Sequence, residues 1–178
     1  MTEKKIYTWA KEHSRGRSYH FQLSPKLQGK ITRKGLWSPD GYGELGARNL
    51  RFSSNGKANM SLKVIDGSSQ EQVGKFNFYW KDFQKSKLEL NSGSTYYFRS
   101  TSLLRGIWSW IKKDAVTEQY IFTVDSPFHR SGTIESPAKE LPALERDILL
   151  LLGLQLQHYI NIWLITIIIV IIAVVSGN

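Results

Sequence analysis

The chain has 178 residues, a formal net charge of +9 and no cysteine. Its length fits one domain plus an appendage, and the lack of cysteine excludes disulfides, thiolate catalysis and cysteine-based metal sites. The positive charge favours anionic partners such as nucleic acid, anionic lipid headgroups or acidic proteins. It is spread along the chain, however, and a well-solvated sheet surface has the same signature.

Composition divides the chain near Pro137 and Pro142. The part before this break is mixed, polar and rich in aromatic residues, whereas residues 148–175 are nearly all apolar. The charge divides in the same way, because residues 1–140 carry +10 and the remainder carries −1. We therefore expect three segments, an antiparallel β-barrel domain over 1–140, a central hydrophobic helix over 141–158 and a candidate transmembrane tail anchor over 159–175.

The first motif along the chain is GYGELG, which gives Gly41, Gly43 and Gly46 the spacing of a dinucleotide-binding loop. Such a loop needs a buried strand before it and a helix after it, so that free helix amides meet the pyrophosphate. Here Pro39 and Asp40 interrupt any preceding strand, and the following ARNLRF runs toward a hairpin. We predict an ordinary loop at these glycines and no nucleotide site.

Short stretches rich in aromatic and β-branched residues recur about every ten positions, which is typical of a barrel or sandwich. NLRFSSNGKANMSLKVIDG predicts a hairpin around Asn55-Gly56, whose backbones tolerate the positive φ of a tight turn. In QVGKFNFYW, the aromatic side chains of Phe76, Phe78 and Trp80 share one face of a strand. These patterns predict a mainly β fold.

Two more hairpins follow. KLELNSGSTYYFRS pairs two runs across Asn91-Ser92-Gly93, and GIWSWIKKDAVTEQYIFTVD repeats the arrangement across residues 112–117. No segment before Pro137 keeps helical periodicity over three turns, which argues against a parallel α/β sheet.

The run from Val73 to Ser126, together with the later RDILLLLGLQL, resembles small bacterial proteins of the Tubby C-terminal-like superfamily. LURP-one-related proteins and phospholipid scramblases share that architecture. The resemblance rests on a turn, an aromatic pair, a basic loop, a W-x-W-like strand, a closing strand and an acidic residue before a leucine-rich helix. The residues concerned are Tyr97, Phe98, Trp108, Trp110, Phe122, Asp147 and 149–154.

This resemblance covers roughly residues 19–160. It implies a closed antiparallel barrel of about a dozen strands around an apolar C-terminal helix, and closure removes exposed strand edges. Members of the superfamily have been linked to phosphoinositide binding or to lipid movement. None of their lipid ligands can be matched to a residue of this chain.

The apolar C-terminus changes character along its length. Residues 148–156 are leucine-rich and favour a helix, whereas 160–175 are dominated by Ile and Val, which coil readily only where lipid surrounds them. A polar arc lies between the two parts and should face a barrel mouth or water, not hydrocarbon. It consists of Gln155, Gln157, His158 and Asn161.

Length suggests how the two parts divide their roles. A helix from Pro142 to Val175 would be about 50 Å long, more than a barrel of short strands encloses. We expect the first half to fill the barrel through Leu149, Leu150, Leu152, Gly153 and Leu156. Residues 159–175, close to the minimum for crossing about 30 Å of hydrocarbon, would form a single-pass C-terminal anchor.

In this interpretation Tyr159 and Trp163 lie at the membrane interface and the N-terminal domain faces the cytoplasm. Two alternatives remain. In one, the protein is a soluble cytoplasmic barrel with the whole helix buried. In the other, residues 148–175 form one long tilted span, although Gln155 and Gln157 near its middle argue against this.

Two basic groups are the candidate lipid-binding residues, and anionic lipid is the natural partner if a membrane is adjacent. Trp37, Trp108 and Trp110 lie near them in sequence, and two roles are open for these rings, contact with headgroups or, as the pattern favours, a place in the core. The first group, interpreted as a loop, is Lys26, Lys30, Arg33 and Lys34, and the second is Arg99, Arg105, Lys112 and Lys113. No nucleic-acid partner is expected, because no recognised fold signature appears, and a protein partner stays open.

No catalytic residue, metal ligand or cofactor is predicted. No two of the four histidines have metal-ligand spacing, and Asp125, Ser126 and His129 are close in sequence without thereby forming a triad. The sequence favours a non-enzymatic, membrane-tethered barrel that binds anionic lipid headgroups. A soluble structural or interaction barrel and an unrecognised enzyme are the alternatives.

Overall fold

The structure, a computed structural model, describes residues 4–12, 17–35, 38–55, 61–79, 82–102, 106–125, 131–137, 139–157 and 176. Its strands are β1 (Ile6–Lys11), β2 (Ser18–Ser24), β3 (Leu27–Arg33), β4 (Gly41–Leu45), β5 (Arg48–Asn55), β6 (Ser61–Asp66), β7 (Gln72–Asn77), β8 (Lys87–Leu90), β9 (Thr95–Ser102), β10 (Ile107–Lys112), β11 (Glu118–Val124) and β12 (Ser131–Glu135). A short 3-10 helix (Phe83–Lys85) precedes β8, and helix α1 covers residues 143–157.

The twelve strands form a closed antiparallel barrel in which each strand pairs with its neighbours in sequence. The first and last strands complete the ring, with Trp9 opposite Gly132 and Tyr7 opposite Ile134. Within the strands that the structure describes, closure leaves no long edge open to pairing with another chain. The mainly β class and the closed barrel expected from the sequence are confirmed.

The hairpins also lie where they were predicted. Asn55 pairs with Ser61 across the β5–β6 connection, and Glu89 pairs with Thr95 across the β8–β9 turn, where Gly93 has a φ of +89°. Phe76 and Phe78 are buried as the alternation of β7 predicted, whereas Trp80 lies outside the described residues.

The loop predicted at GYGELG is wrong for its first two glycines, which belong to strand β4. Both face the interior, where α1 passes very close. A Cβ on Gly41 would lie 2.7 Å from the Gln155 Oε1 atom, and one on Gly43 would lie 3.1 Å from the Leu151 Cδ1 atom. Gly46 alone is a turn residue, with a φ of +59°. These glycines therefore make room for the helix.

Helix α1 fills the barrel. All its side chains from residue 147 to 157 are buried, as a helix that is apolar on nearly every side requires, and here the barrel strands surround it. Two indoles on β10 hold it, since Trp110 Nε1 donates to the Leu149 carbonyl at 3.0 Å and Trp108 Nε1 to the Gly153 carbonyl at 3.1 Å. Gly153 lets the helix approach the Phe122 ring.

The helix gives the barrel two distinguishable ends. At the Glu145 end, the first turn of α1 meets the β8–β9 turn through Ser94. At the Gln155 end, its last turns meet the β3–β4 connection through Pro39. The strands are mostly five to eight residues long, so the two ends lie about 20 Å apart.

Candidate functional site

A buried carboxylate, Glu145, organises the Glu145 end. Its oxygens accept hydrogen bonds from Ser94 Oγ at 2.7 Å, Ser92 Oγ at 3.3 Å and the Tyr96 hydroxyl, and Lys112 Nζ lies at 3.5 Å. Burial pushes the pKa of Glu145 upward, but the bonds from Tyr96 and Ser94, together with Lys112, leave that pKa below its ordinary value. Glu145 is therefore an ionised anchor for the start of α1.

A second buried carboxylate, Asp147, lies two residues further along α1. Arg48 Nε donates to it at 3.1 Å and Arg146 Nε at 2.8 Å, while Arg48 Nη1 also reaches Asp66 at 3.2 Å. Each charge in this cluster faces an opposite one, which offsets the cost of burying Asp147. The cluster ties α1 to strands β5 and β6.

The buried polar side chains that α1 contributes to the Gln155 end are neutral. Gln155 Nε2 donates to the Pro39 carbonyl at 2.8 Å, but within the described part of the chain its Oε1 atom and both amide atoms of Gln157 have no hydrogen-bond partner. Both side chains are fully buried in the barrel. The predicted polar arc therefore faces protein at these two positions, and His158 and Asn161 lie outside the described residues.

The first predicted basic group lies on and directly beside strand β3, and not in a loop. Lys26 lies in the turn at the Glu145 end and Lys34 is exposed at the Gln155 end, while Lys30 lies 3.9 Å from Glu12 on the outer face. Arg33 is only 2% exposed, with its guanidinium carbon 5.6 Å from the centre of the Tyr19 ring. Arg33 is thus an interior residue and not a surface contact.

The second predicted basic group is also divided between the ends. Arg99 lies toward the Gln155 end, where it donates to the Gln84 carbonyl and packs 5.4 Å from the centre of the Tyr97 ring. Lys112 and Lys113 lie at the Glu145 end. Arg105 lies outside the described residues. Because the ends are about 20 Å apart, a single headgroup layer cannot contact all the candidates.

The tryptophans considered for headgroup contact have a different role. Trp108 is 1% exposed and Trp110 is fully buried, and their indoles donate to α1. Of the two roles left open by the sequence, the core position that it favoured is the one observed, because the W-x-W spacing places both rings on the inner face of β10. Trp37, the third of the set, lies outside the described residues.

Sequence reasoning did not identify the polar surroundings of the start of α1. The LERD stretch places three charged residues at the edge of an apolar run, and this was an available signal for Glu145 and Asp147. Their partners could not be inferred, since Arg48 and Asp147 are 99 positions apart.

Cavities of about 880, 430 and 410 Å³ also lie around the Glu145 end of the barrel.

The remaining predicted sites lie partly beyond the described residues. Among the residues described, no helix is long and apolar enough to cross a bilayer. The predicted anchor, residues 159–175, and its interface residues Tyr159 and Trp163 lie outside them. In the same described ranges, no three His, Asp or Glu side chains come together as metal ligands would.

The chain is therefore a closed twelve-stranded antiparallel barrel with a helix through its centre. Comparisons with protein-family models, curated proteins and solved structures gave no match.

Proposed function

We propose that this protein is a non-enzymatic binding module tethered to a membrane by residues 159–175. The Gln155 end of the barrel faces the bilayer from the cytoplasm, with Tyr159 and Trp163 in the headgroup layer. We keep the resemblance to the Tubby C-terminal-like superfamily as part of this proposal, because the barrel-and-helix architecture of that superfamily agrees with this fold.

The direction of α1 is the observation that carries the proposal. The helix is buried through residue 157, and the chain continues from the Gln155 end into a segment dominated by Ile and Val. Within the barrel, Gly43 of β4 already lies against Leu151 of α1, and Gly153 of α1 lies against the Phe122 ring. The interior has no room for a second apolar segment, so the tail needs another apolar environment, and lipid supplies one.

The polar surface around the Gln155 end supports contact with anionic headgroups. Two basic side chains in this region, Arg17 and Lys34, are exposed and have no ion-pair partner among the described residues, and Tyr79 is 45% exposed. The acidic side chains there have partners of their own. Asp82 pairs with Lys85 at 3.2 Å, Asp40 accepts from Ser54, and Asp125 accepts from Ser131.

Within the described part of the two predicted basic groups, this orientation gives the headgroup contacts to Lys34 and Arg99. Lys26, Lys112 and Lys113, at the opposite end, face the aqueous phase. Each cation close to an anionic surface contributes about 1 kcal/mol to binding, so the two sets should differ clearly in their effect on lipid affinity.

An alkaline wash of membranes tests the tether. Full-length protein should stay in the pellet, whereas a chain truncated after His158 should appear in the supernatant with an intact near-ultraviolet circular dichroism spectrum. As a control of equal length, Ile167→Lys with Val170→Lys should weaken retention, because each lysine costs about 3 kcal/mol within a span. Release of the full-length protein, or unfolding of the truncated chain, would refute the tether.

Vesicle flotation of the truncated chain then tests the headgroup contact. It should bind vesicles that contain phosphatidylserine and not vesicles of phosphatidylcholine alone. Lys34→Gln with Arg99→Gln should weaken binding about thirtyfold at low salt, whereas Lys26→Gln with Lys113→Gln removes the same charge at the other end and should change it little. Equal effects of the two pairs, or indifference to anionic lipid, would refute this part of the proposal.

A further inference from the structure

We propose that the cavity of about 410 Å³ between β1, β2 and the β12–α1 connection binds a small organic anion, one that joins a carboxylate or phosphate to an apolar body. This site lies at the Glu145 end, on the side of the barrel away from the proposed membrane contact. It goes beyond the tether and does not depend on it.

The charges that line the cavity favour an anion. Lys5, Lys139 and Arg146 contribute three cations, and Glu140 is the one carboxylate among the described residues that form its wall. Neither lysine has an ion-pair partner within the described ranges. A bound carboxylate or phosphate would therefore meet two lysines without an ion-pair partner at close range, and the surrounding protein strengthens the attraction.

Arg146 is fixed in place by a residue outside the cavity wall. Its Nε and Nη2 atoms both lie 2.8 Å from the Asp147 Oδ1 atom. Its Nη1 atom has no partner among the described residues, and the side chain is 29% exposed. A guanidinium held on one side and unoccupied on the other is well suited to bind an oxyanion, because its orientation is already set.

Tyr120 provides a second, independent feature of the site. This residue is only 5% exposed and lines the cavity, and no described residue forms a hydrogen bond with its hydroxyl. The hydroxyl is not one of the buried polar atoms that lack a partner, so it opens onto the cavity and is free to donate to an anion bound there. Burial raises the pKa of Tyr120 above its ordinary value, and the phenol therefore remains a hydrogen-bond donor at neutral pH.

The rest of the wall determines the body of the ligand. Leu23, Leu27 and Pro137 contribute apolar surface, and the Tyr7 ring adds an aromatic face. A volume of about 410 Å³ is near the lower end of small-molecule sites, which favours a single ring or a short chain. An inorganic anion would leave this apolar surface unused.

Calorimetric titration of the full-length protein in neutral detergent tests the site. Phenyl phosphate and benzoate are the two probes, and they separate a phosphate from a carboxylate preference. Benzyl alcohol, which has the ring without the charge, and inorganic phosphate, which has the charge without the ring, are the controls. We expect saturable binding of at least one probe, at least tenfold tighter than either control, as a charged hydrogen bond implies.

Tyr120→Phe is the decisive variant, because it removes a hydroxyl without a partner and should leave the melting temperature unchanged. It should weaken probe binding about tenfold. Lys5→Gln with Lys139→Gln should also weaken it, whereas Lys26→Gln with Lys113→Gln, at the same end but outside the cavity, should not. No saturable binding of either probe, or the same loss in the control pair, would overturn the proposal.

Discussion

The two ends of the barrel hold the same helix by different means. At the Glu145 end, two buried carboxylates on α1 have hydrogen-bond and ion-pair partners on the turns around them. At the Gln155 end, α1 has two buried amides, and only that of Gln155 has a hydrogen-bond partner among the described residues, the Pro39 carbonyl. The start of α1 is therefore fixed in register, and its last turns retain unused hydrogen-bonding capacity.

This difference has an energetic reason. A carboxylate buried without partners is unstable, so Glu145 and Asp147 can be present only where serines, arginines and a lysine meet them. An amide without partners costs less, about 1–3 kcal/mol. The chain tolerates such groups at the end from which it leaves the barrel. Four changes, taken from the largest expected effect to the smallest, test this contrast.

Glu145→Ala should have the largest effect, a loss of about 3 kcal/mol in the free energy of unfolding. It removes the acceptor for Ser94 and Tyr96 and leaves Lys112 without its partner. Urea unfolding of the full-length protein, followed by tryptophan fluorescence, measures the loss. Glu44→Ala, on the exposed face of β4, is the matched control and should change stability by less than about 0.5 kcal/mol.

Gly153→Ala should destabilise the middle of the barrel by about 1–3 kcal/mol. The new Cβ would lie 2.2 Å from the Phe122 Cζ atom, so the ring must move away from its stacked partner Trp108. Phe122→Leu should recover part of the loss in the double variant, because it removes the clashing atoms. Strictly additive losses in this double-mutant cycle would show that the two residues do not interact.

Acid should weaken the Glu145 end selectively. Since the folded protein holds the pKa of Glu145 below its ordinary value of 4.5, this group stabilises the fold above that value. The contribution disappears as the pH falls through the lower, folded pKa. Unfolding curves measured from neutral to acidic pH should therefore decline less steeply for Glu145→Gln than for the parent. Parallel declines would mean that other carboxylates account for the acid sensitivity.

Gln157→Leu should have the smallest effect, between neutral and a gain of about 1 kcal/mol, because it replaces an amide without partners by an apolar side chain of similar size. Gln155→Leu, by contrast, should cost about 1 kcal/mol, since it loses the bond to Pro39. Thermal unfolding of both variants side by side gives the comparison. A clear loss for Gln157→Leu would indicate a bound water at that amide.

The strands could be predicted because each has one face in the core, so the alternation in β7 and the turn around Gly93 are visible in the sequence. The same two-residue alternation also gives the position of Arg33, which shares the inner face of β3 with Gly29 and Ile31. Treating that stretch as a basic loop hid this signal. The leucine-rich helix was predicted from composition, whereas its place inside the barrel was implied by the family resemblance.

The rest depended on contacts between distant parts of the chain. The glycines of β4 are needed because α1 passes over them, and this contact joins residues more than a hundred positions apart. The partners of Glu145 are likewise about fifty positions away, as Ser94 illustrates. The cavity beside Tyr120 combines four separate segments of the chain. Patterns in a single sequence report the local periodicity of strands and helices. Contacts between residues that are far apart in sequence produce no such periodicity.

The order of the elements along the chain has a consequence for biosynthesis. All twelve strands are translated before α1, which supplies the inner filling of their ring, and the ring closes only when β12 meets β1. While the ribosome is still making β12, the nascent strands have no helix to cover their aromatic faces. Contacts of such long sequence separation form slowly, so the chain needs protection from aggregation until its last apolar residues emerge.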